Sequence, residues 1–172
     1  MTYPKMWTSK ILVMMVAACV MTVMVDSSQS VMTSMTKNFI KAYEACAKEY
    51  NLPESTGQEL INFWKEGYTV TSREAGCAIL CLSSKLDLLD PEGKLHHGNT
   101  VEFAKSHGSD DAMAHKVVEI LHSCEKAAVP NEDMCLVALD VSMCFKKEIH
   151  SLNWAPDNEL LFEELVGEMS KT

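Results

Sequence analysis

The sequence lacks the sustained alternation of apolar and polar residues that marks a half-buried β-strand. Basic side chains are also scarce: 15 Lys and Arg against 24 Asp and Glu give a formal net charge of −9. Phosphate backbones are bound by basic surfaces, so this charge argues against nucleic acid as a partner. The first absence predicts an all-α chain, and the second suits a protein that stays soluble at high concentration.

Motifs of catalysis and metal binding are missing as well. The sequence has no Gly-x-Ser-x-Gly, no glycine-rich phosphate loop and no His-Glu-x-x-His. It also lacks the Cys-Cys-x-x-His-Asp run and the calcium loop of a secreted phospholipase. No Cys-x-x-Cys pair occurs, and the six histidines have no zinc-ligand spacing with the thiols. We therefore expect neither an enzyme nor a protein with a resident metal or cofactor.

The N-terminus has the pattern of a secretory signal peptide. Lys5 and Lys10 precede an uncharged, mostly apolar run over residues 11–25, which small residues follow. The alternative is a membrane anchor, but this run is shorter than the roughly 20 residues that span a bilayer. We predict a signal peptide over residues 1–27 and one secreted domain over residues 28–172, a length typical of a single domain.

Cysteine usage predicts disulfide bonds. Cys19 lies within the predicted signal peptide, which leaves an even number of cysteines in the secreted domain. These six are Cys46, Cys77, Cys81, Cys124, Cys135 and Cys144. Such a set in a secreted chain indicates three disulfides, although the spacing alone leaves 15 pairings open.

Apolar residues at steps of three and four predict helices throughout the secreted domain. The predicted helices span Val31 to Tyr50, Ser55 to before Gly67, Ser72 to about Leu89, Thr100 to Lys105, about Asp110 to Ala127 with Ser109 as its cap, and Met134 to about Leu152. The segment Arg73–Lys85 is central, because its two cysteines would share one side of a helix and tie it to partners. Such a helical box encloses either packed side chains or a ligand.

Two polar segments stand apart from these helices. Residues 94–99 form a predicted loop with adjacent histidines, whose charge changes between about pH 5 and 8. Residues 157–172 combine an apolar face with clustered glutamates, and an isolated helix of this length is marginal in water. The alternatives are a solvated loop that happens to hold histidines and an ordinary C-terminal helix packed permanently on the core.

The chain resembles the insect odorant-binding proteins, and among them the moth pheromone-binding proteins, over the whole of residues 28–172. The resemblance rests on the cysteine spacing together with the runs Asn62–Gly67, Arg73–Cys81, Asp90–Gly93, His96–Asn99, Cys124–Lys126, Cys144–Phe145 and Asn153–Pro156. It implies a compact domain of six to seven helices that encloses a hydrophobic cavity. It also implies the bridges Cys46–Cys81, Cys77–Cys135 and Cys124–Cys144.

The resemblance further implies a ligand, namely a long-chain alcohol, aldehyde or acetate of the kind moths use as sex pheromones. The positions that match the family's pocket are Met32, Phe39, Phe63, Trp64, Ile79, Ser83, Leu95, Phe103, Val118, Phe145 and Ile149. In this comparison Phe39 and Phe145 sandwich the unsaturated chain, and Ser83 binds the head group. Leu80 and Val137 are apolar where related proteins offer polar or cationic side chains, which bears on head-group preference.

The function implied is that of a carrier in sensillum lymph that delivers pheromone to a membrane receptor. Release would follow acidification: His96, His97 and His122 become charged, while the tail carrying Glu159, Glu163, Glu164 and Glu168 is protonated and enters the cavity. Alternative functions are a broader carrier of general odorants or lipids, and a secreted helical signalling protein with a solid core. A homodimer is left open.

Overall fold

The computed structural model describes the backbone from Lys5 to Met169 and the side chains from 27 to 163. The described backbone forms helices and turns with no β-strand, and this confirms the all-α prediction. The helices are α1 (Lys5–Glu49), α2 (Glu54–Ile61), α3 (Arg73–Lys85), α4 (His97–Ser106), α5 (Asp111–Ala127), α6 (Met134–Ser151) and α7 (Asn158–Met169). Within this part of the chain, no helix is both long enough and apolar enough to cross a membrane.

Helix α1 begins at Lys5, well before Val31, where the apolar stripe predicted its start. The sequence has no proline or glycine between Lys5 and Glu49 that would break the helix. The helix ends there because Asn51 adopts a left-handed φ of 49° and Pro53 follows. Almost all side chains of the predicted signal peptide lie outside the described residues, so its cleavage stays a prediction.

Helix α2 is shorter than predicted. It ends at Ile61 rather than near Gly67, so Phe63 and Trp64 lie in the turns that follow. The side-chain amide of Asn62 donates to the carbonyl of Gln58 at 2.8 Å at the end of the helix.

Lys146 of α6 holds this turn segment in place. Its Nζ donates to the backbone carbonyls of Lys65 and Tyr68 at 2.9 and 2.6 Å, and it lies 5.8 Å from the centre of the Phe63 ring. Lys146 is only 5% exposed, and a buried ammonium must find acceptors. Burial also lowers the pKa of Lys146. A contact from the far end of the chain thus favours turns where the local pattern predicts helix.

Helix α3 begins where the sequence predicts. Ser72 is its N-cap, and the Ser72 hydroxyl accepts a hydrogen bond from the backbone N–H of Ala75 at 3.1 Å. The helix ends at Lys85 rather than near Leu89, because Asp87 adopts a left-handed φ of 58°.

Helix α3 occupies the centre of the fold, where it packs against α6, α1 and α2. Gly76 permits its close approach to α6, since a Cβ at this position would lie 2.0 Å from the carbonyl oxygen of Cys135. The disulfides Cys46–Cys81 and Cys77–Cys135 join α3 to α1 and to α6, and Cys124–Cys144 joins α5 to α6. These are the same three pairs that the resemblance implies.

The caps of α4 and α5 differ from the predictions. His96 is the N-cap of α4, since its Nδ1 accepts from the backbone N–H of Asn99 at 3.2 Å. The second half of the predicted loop therefore belongs to a helix. Asp110, and not Ser109, caps α5 by accepting from the N–H of Met113 at 2.8 Å. A carboxylate accepts more strongly than a hydroxyl and complements the positive end of the helix.

The last two helices complete the core. Helix α6 contributes the fully buried Ile149, which packs with residues of α1 and α5 in the main hydrophobic cluster. Asp157 caps α7 by accepting from the N–H groups of Glu159 and Leu160 at 2.9 and 3.1 Å. Leu161 is 3% exposed and joins the same cluster, so the tail is docked as a helix in this structure.

Candidate functional site

A large cavity of about 1200 Å³ lies between the helices. Side chains from α1, α2, α3, α4, α5 and α6 contribute to its wall, together with the turns after α2 and α3. Most of these side chains are aliphatic, aromatic or methionine. A cavity of this volume and composition suits a hydrophobic ligand held by a few polar groups.

Nine of the eleven positions that the resemblance places in the pocket line this cavity. They are Met32, Phe39, Phe63, Trp64, Ile79, Ser83, Leu95, Phe103 and Phe145. Val118 and Ile149 do not; both are fully buried within the main core cluster. On α5 it is the neighbouring Val117 that faces the cavity, because one residue turns a helix face by about 100°.

The aromatic wall consists of two separate groups. Phe39 packs edge-on against Phe103, with ring centres 5.8 Å apart. Phe145 packs against Trp64 at 6.2 Å, and Trp64 packs edge-on against Phe63 at 5.0 Å. Phe39 and Phe145 thus each have a different aromatic neighbour. Rings in such arrangements offer both faces and edges to an unsaturated chain.

Several wall residues were missed by the sequence predictions. On α6 these include Val141 and Ala138, which precede Phe145 at helical spacing and could have been found by extending its stripe backwards. On α1 they include Thr36 and Tyr43, which flank Phe39 at the same spacing. Tyr43 belongs to the apolar stripe that predicts this helix, but a stripe alone does not distinguish cavity wall from packed core, and the polar Thr36 is not part of that stripe.

The hydroxyl groups of the wall differ in their hydrogen bonding. Those of Thr36, Thr100 and Ser142 donate to backbone carbonyls at 2.7 to 2.9 Å. The hydroxyls of Ser83 and Tyr43 make no hydrogen bond with any residue in the described part of the chain. The Tyr43 hydroxyl is protonated at neutral pH, since the ordinary pKa of a phenol is about 10 and burial raises the pKa of Tyr43 further. The wall therefore has two free hydroxyl donors among apolar surroundings.

Leu80 and Val137 also line the wall, and both are apolar as the sequence requires. The cavity wall reaches the surface near Val129 and Met134, which are 68% and 39% exposed. Met134 lies beside the turn at Gly93, where an added Cβ would meet Met134 Cε at 3.6 Å. We call this region, residues 92–95 with residues 128–134, the cavity mouth.

A group of histidines connects the cavity mouth to α5. His97 Nδ1 lies 3.3 Å from His122 Nε2, and the two rings are stacked with centres 5.5 Å apart. His122 Nδ1 lies 3.1 Å from Glu125 Oε2, and Glu125 Oε1 accepts from the backbone N–H of Leu95 at 2.6 Å. The ring of His115 is 6.2 Å from that of His97. We call His97, His122 and Glu125 the mouth cluster.

The described tail residues include two of the predicted switch glutamates. Glu159 and Glu163 are exposed on α7, whereas Glu164 and Glu168 lie outside the residues whose side chains are described. Phe162, between them in sequence, contributes to the cavity wall. Among side chains 27–163, no group of three or more His, Cys, Asp or Glu is arranged to hold a metal ion.

Comparison with known proteins places the chain in a family. The sequence model of the PBP/GOBP family matches residues 28–148. Pheromone-binding protein 2 of Epiphyas postvittana is 49% identical over 145 residues, which cover 84% of this chain and 88% of that protein. General odorant-binding protein 2 of Heliothis virescens is 35% identical over 150 residues, or 87% of this chain and 93% of that protein.

A solved structure supports the same relationship. The crystal structure of Epiphyas postvittana Pheromone Binding Protein 3 matches with a TM-score of 0.62 and 52% identity, over 67% of this chain and 99% of that one. The fold, the matched family segment and the identity of these relatives agree with the resemblance found in the sequence motifs. The chain therefore belongs to the PBP/GOBP family.

Proposed function

We propose that this protein is a secreted carrier that takes up long-chain hydrophobic sex pheromones and delivers them to olfactory receptors. The observation that carries the proposal is the apolar cavity of about 1200 Å³. Burying each methylene of a ligand contributes about 0.8 kcal/mol, so chain length supplies most of the affinity. The names of its relatives, pheromone-binding and general odorant-binding proteins, support ligand carriage as the shared activity.

Ligand orientation is proposed to come from Ser83. Its hydroxyl faces the cavity and has no hydrogen-bond partner in the described part of the chain, so it can donate to the head group of an alcohol, aldehyde or acetate. The nine wall residues form the proposed ligand-binding set. Val118 and Ile149 are left out of it, because they belong to the packed core.

Native mass spectrometry tests this function. The oxidised protein is incubated at neutral pH with a mixture of long-chain alcohols, aldehydes and acetates, and the retained species are identified. We expect selective retention of one or two of them. Uniform retention of unrelated odorants would favour the general-odorant alternative. Retention of none by a protein with three intact disulfides would contradict the carrier function and favour a helical signalling protein.

Acid-dependent release is proposed to begin at the mouth cluster. Protonation of both His97 and His122 would place two positive charges 3.3 Å apart. Glu125 is a carboxylate in contact with His122, and the ring of His115 lies beside that of His97. Protonation of His96 at Nδ1 would remove the N-cap of α4 and place a cation at a helix N-terminus. Both changes favour opening of the mouth.

The tail is proposed to take part in the release. Its Leu161 is already docked and its Phe162 already contributes to the cavity wall, so further entry of α7 would compete with ligand for the same space. The glutamates, Glu159 and Glu163 among them, oppose that entry while they are ionised. Protonation removes this cost and moves the equilibrium towards the inserted tail.

Displacement of a bound fluorescent probe at about pH 7 and about pH 5 tests both steps. The full protein is compared with a variant that ends at Pro156. We expect the full protein to lose most of its probe at the lower pH and the shortened variant to retain more. Equal loss from both would remove the tail from the mechanism. Retention by both would remove acid release altogether.

The predicted signal peptide and the disulfides support secretion, and the sensillum lymph is the proposed compartment. The partners proposed are the pheromone and, at release, a receptor or membrane surface. Association into a homodimer is tested by sedimentation at neutral and acidic pH, where a single monomeric species at both would exclude it.

A further inference from the structure

We propose that Tyr43 is a second head-group residue, whose hydroxyl donates a hydrogen bond to the carbonyl oxygen of an aldehyde or acetate ligand. The inference rests on the proposed carrier function and adds a specificity-determining residue to it. No position of the pocket predicted from the sequence corresponds to Tyr43.

The position of Tyr43 follows from the cavity-facing stripe of α1. Tyr43 lies one helical turn after Phe39, and both line the cavity. Its ring packs with Leu60 of α2 and Leu82 of α3 in a small cluster beside the main core. Gly57 of α2 leaves room for its hydroxyl, because an added Cβ would lie 3.3 Å from Tyr43 Oη.

The hydroxyl of Tyr43 is free to bind a ligand. It makes no hydrogen bond within the part of the chain that the structure describes, whereas Thr36 on the same stripe accepts from Trp64 Nε1 at 2.9 Å and donates to the carbonyl of Met32. Burial is what raises the pKa of Tyr43, and no hydrogen-bonded partner contributes to the shift. A phenol that keeps its proton in apolar surroundings acts as a donor that lacks an acceptor.

Ser83 gives the wall a second free donor, on α3. The Cys46–Cys81 disulfide joins α1 to α3, so the two helices that carry the free hydroxyls are covalently held together. A free donor in the wall favours a carbonyl-bearing ligand over a hydrocarbon of equal length, because the hydrocarbon offers that donor no acceptor.

The test compares the wild-type protein with the Tyr43→Phe and Tyr50→Phe variants. Tyr50 is the matched control, because it is exposed and does not line the cavity. The full chain is expressed in insect cells, and the secreted, oxidised protein is titrated with hexadecyl acetate and with hexadecane. We expect Tyr43→Phe to weaken acetate binding about threefold to tenfold and to leave hexadecane binding unchanged. Tyr50→Phe should change neither affinity.

Infrared spectroscopy gives a second readout that a packing effect would not move. With acetate labelled by carbon-13 at its carbonyl, a hydrogen bond from Tyr43 lowers the carbonyl stretching frequency, and Tyr43→Phe should raise it again. If the variant matches Tyr50→Phe in both affinity and frequency, the role of Tyr43 is excluded while the carrier function stands. If the wild-type protein binds neither ligand, the carrier function itself fails, and the inference fails with it.

Discussion

His122 and Glu125 lie one helical turn apart on α5, with Nδ1 of the imidazole 3.1 Å from Oε2 of the carboxylate. The other carboxylate oxygen accepts from the backbone of the cavity mouth, so the same glutamate contacts both the histidine and the mouth segment. A negative charge at this point partly offsets the positive charge that acid places on the mouth cluster.

The first prediction concerns this carboxylate. Glu125→Gln keeps an acceptor for the backbone N–H of Leu95 but removes the charge that stabilises protonated His122. Because both residues belong to α5, the carboxylate favours protonated His122 whether the mouth is closed or open. Without it, protonation of His122 needs a more acidic solution, and we therefore expect the midpoint of acid-induced ligand release to move to lower pH. Glu119→Gln, on the exposed face of α5 beside Lys116, is the control. A midpoint that is unchanged or higher would contradict the role of Glu125.

The second prediction concerns the buried lysine. Lys146→Met leaves the carbonyls of Lys65 and Tyr68 without their donor, and an unsatisfied buried group costs about 1–3 kcal/mol. We expect a lower free energy of unfolding in denaturant titrations and weaker ligand binding, because the turn that carries Phe63 and Trp64 loses its anchor. Lys147→Met, at an exposed neighbouring position, should change neither.

The contribution of Lys146 to the free energy of unfolding should also depend on pH. Burial lowers its pKa in the folded state, so the folded protein binds fewer protons than the unfolded chain between that value and about 10.4. The contribution of Lys146 to stability therefore rises with pH through this alkaline window. The difference in unfolding free energy between Lys146→Met and the wild type should grow as pH increases. A constant difference would show that the charge of Lys146 costs nothing.

The third prediction separates the core from the cavity wall. Ile149→Ala creates a void in the packed core and should cost about 2–5 kcal/mol of stability. It should leave the order of ligand preference unchanged. Phe145→Ala enlarges a wall that already borders the cavity, so we expect a larger loss of ligand affinity and a smaller loss of stability. Calorimetric melting measures the loss of stability, and binding to a ligand panel measures the loss of affinity. If the two variants lost equal stability and equal affinity, the separation of core from cavity wall would be contradicted.

The fourth prediction concerns the closest approach of two helices. Gly76→Ala would place a Cβ 2.0 Å from the carbonyl of Cys135, which must separate α3 from α6. We expect a lower melting temperature and a smaller yield of natively paired disulfides after oxidative refolding. Gly98→Ala in α4 is the control, because its Cβ meets no atom closer than 3.7 Å. A native yield of correct pairs from Gly76→Ala would exclude a steric role for this glycine.

Local patterns predicted the helices well, since apolar stripes and caps such as Ser72 act over a single turn. The end of α2 was not predictable in this way. It depends on Lys146, which lies far along the chain and becomes a neighbour only after folding. At the start of α5 two adjacent residues are able to cap the helix, and the structure shows that Asp110 does so rather than the predicted Ser109.

The candidate site, like the fold, could be predicted from the sequence only in part. Nine of the eleven pocket positions implied by the resemblance line the wall, but many other wall residues were not predicted. Val117 and Val118 look alike in sequence, yet only the first borders the cavity, because helix rotation is set by packing with α6 and α4. Tyr43 was missed as a wall residue although it belongs to the apolar stripe of its helix, because a stripe does not distinguish cavity wall from packed core, and Thr36 was missed because it is polar.

The geometry of Trp64 gives the protein a built-in optical reporter. Its indole is 6% exposed, is fixed by a hydrogen bond to Thr36, and forms part of the cavity wall. Trp154 is the other tryptophan of the predicted secreted domain, and it packs against the main core outside the cavity wall. In a Trp154→Phe background, emission would come from a single indole beside the bound molecule. Loading and unloading of the protein can then be followed in real time without any added dye.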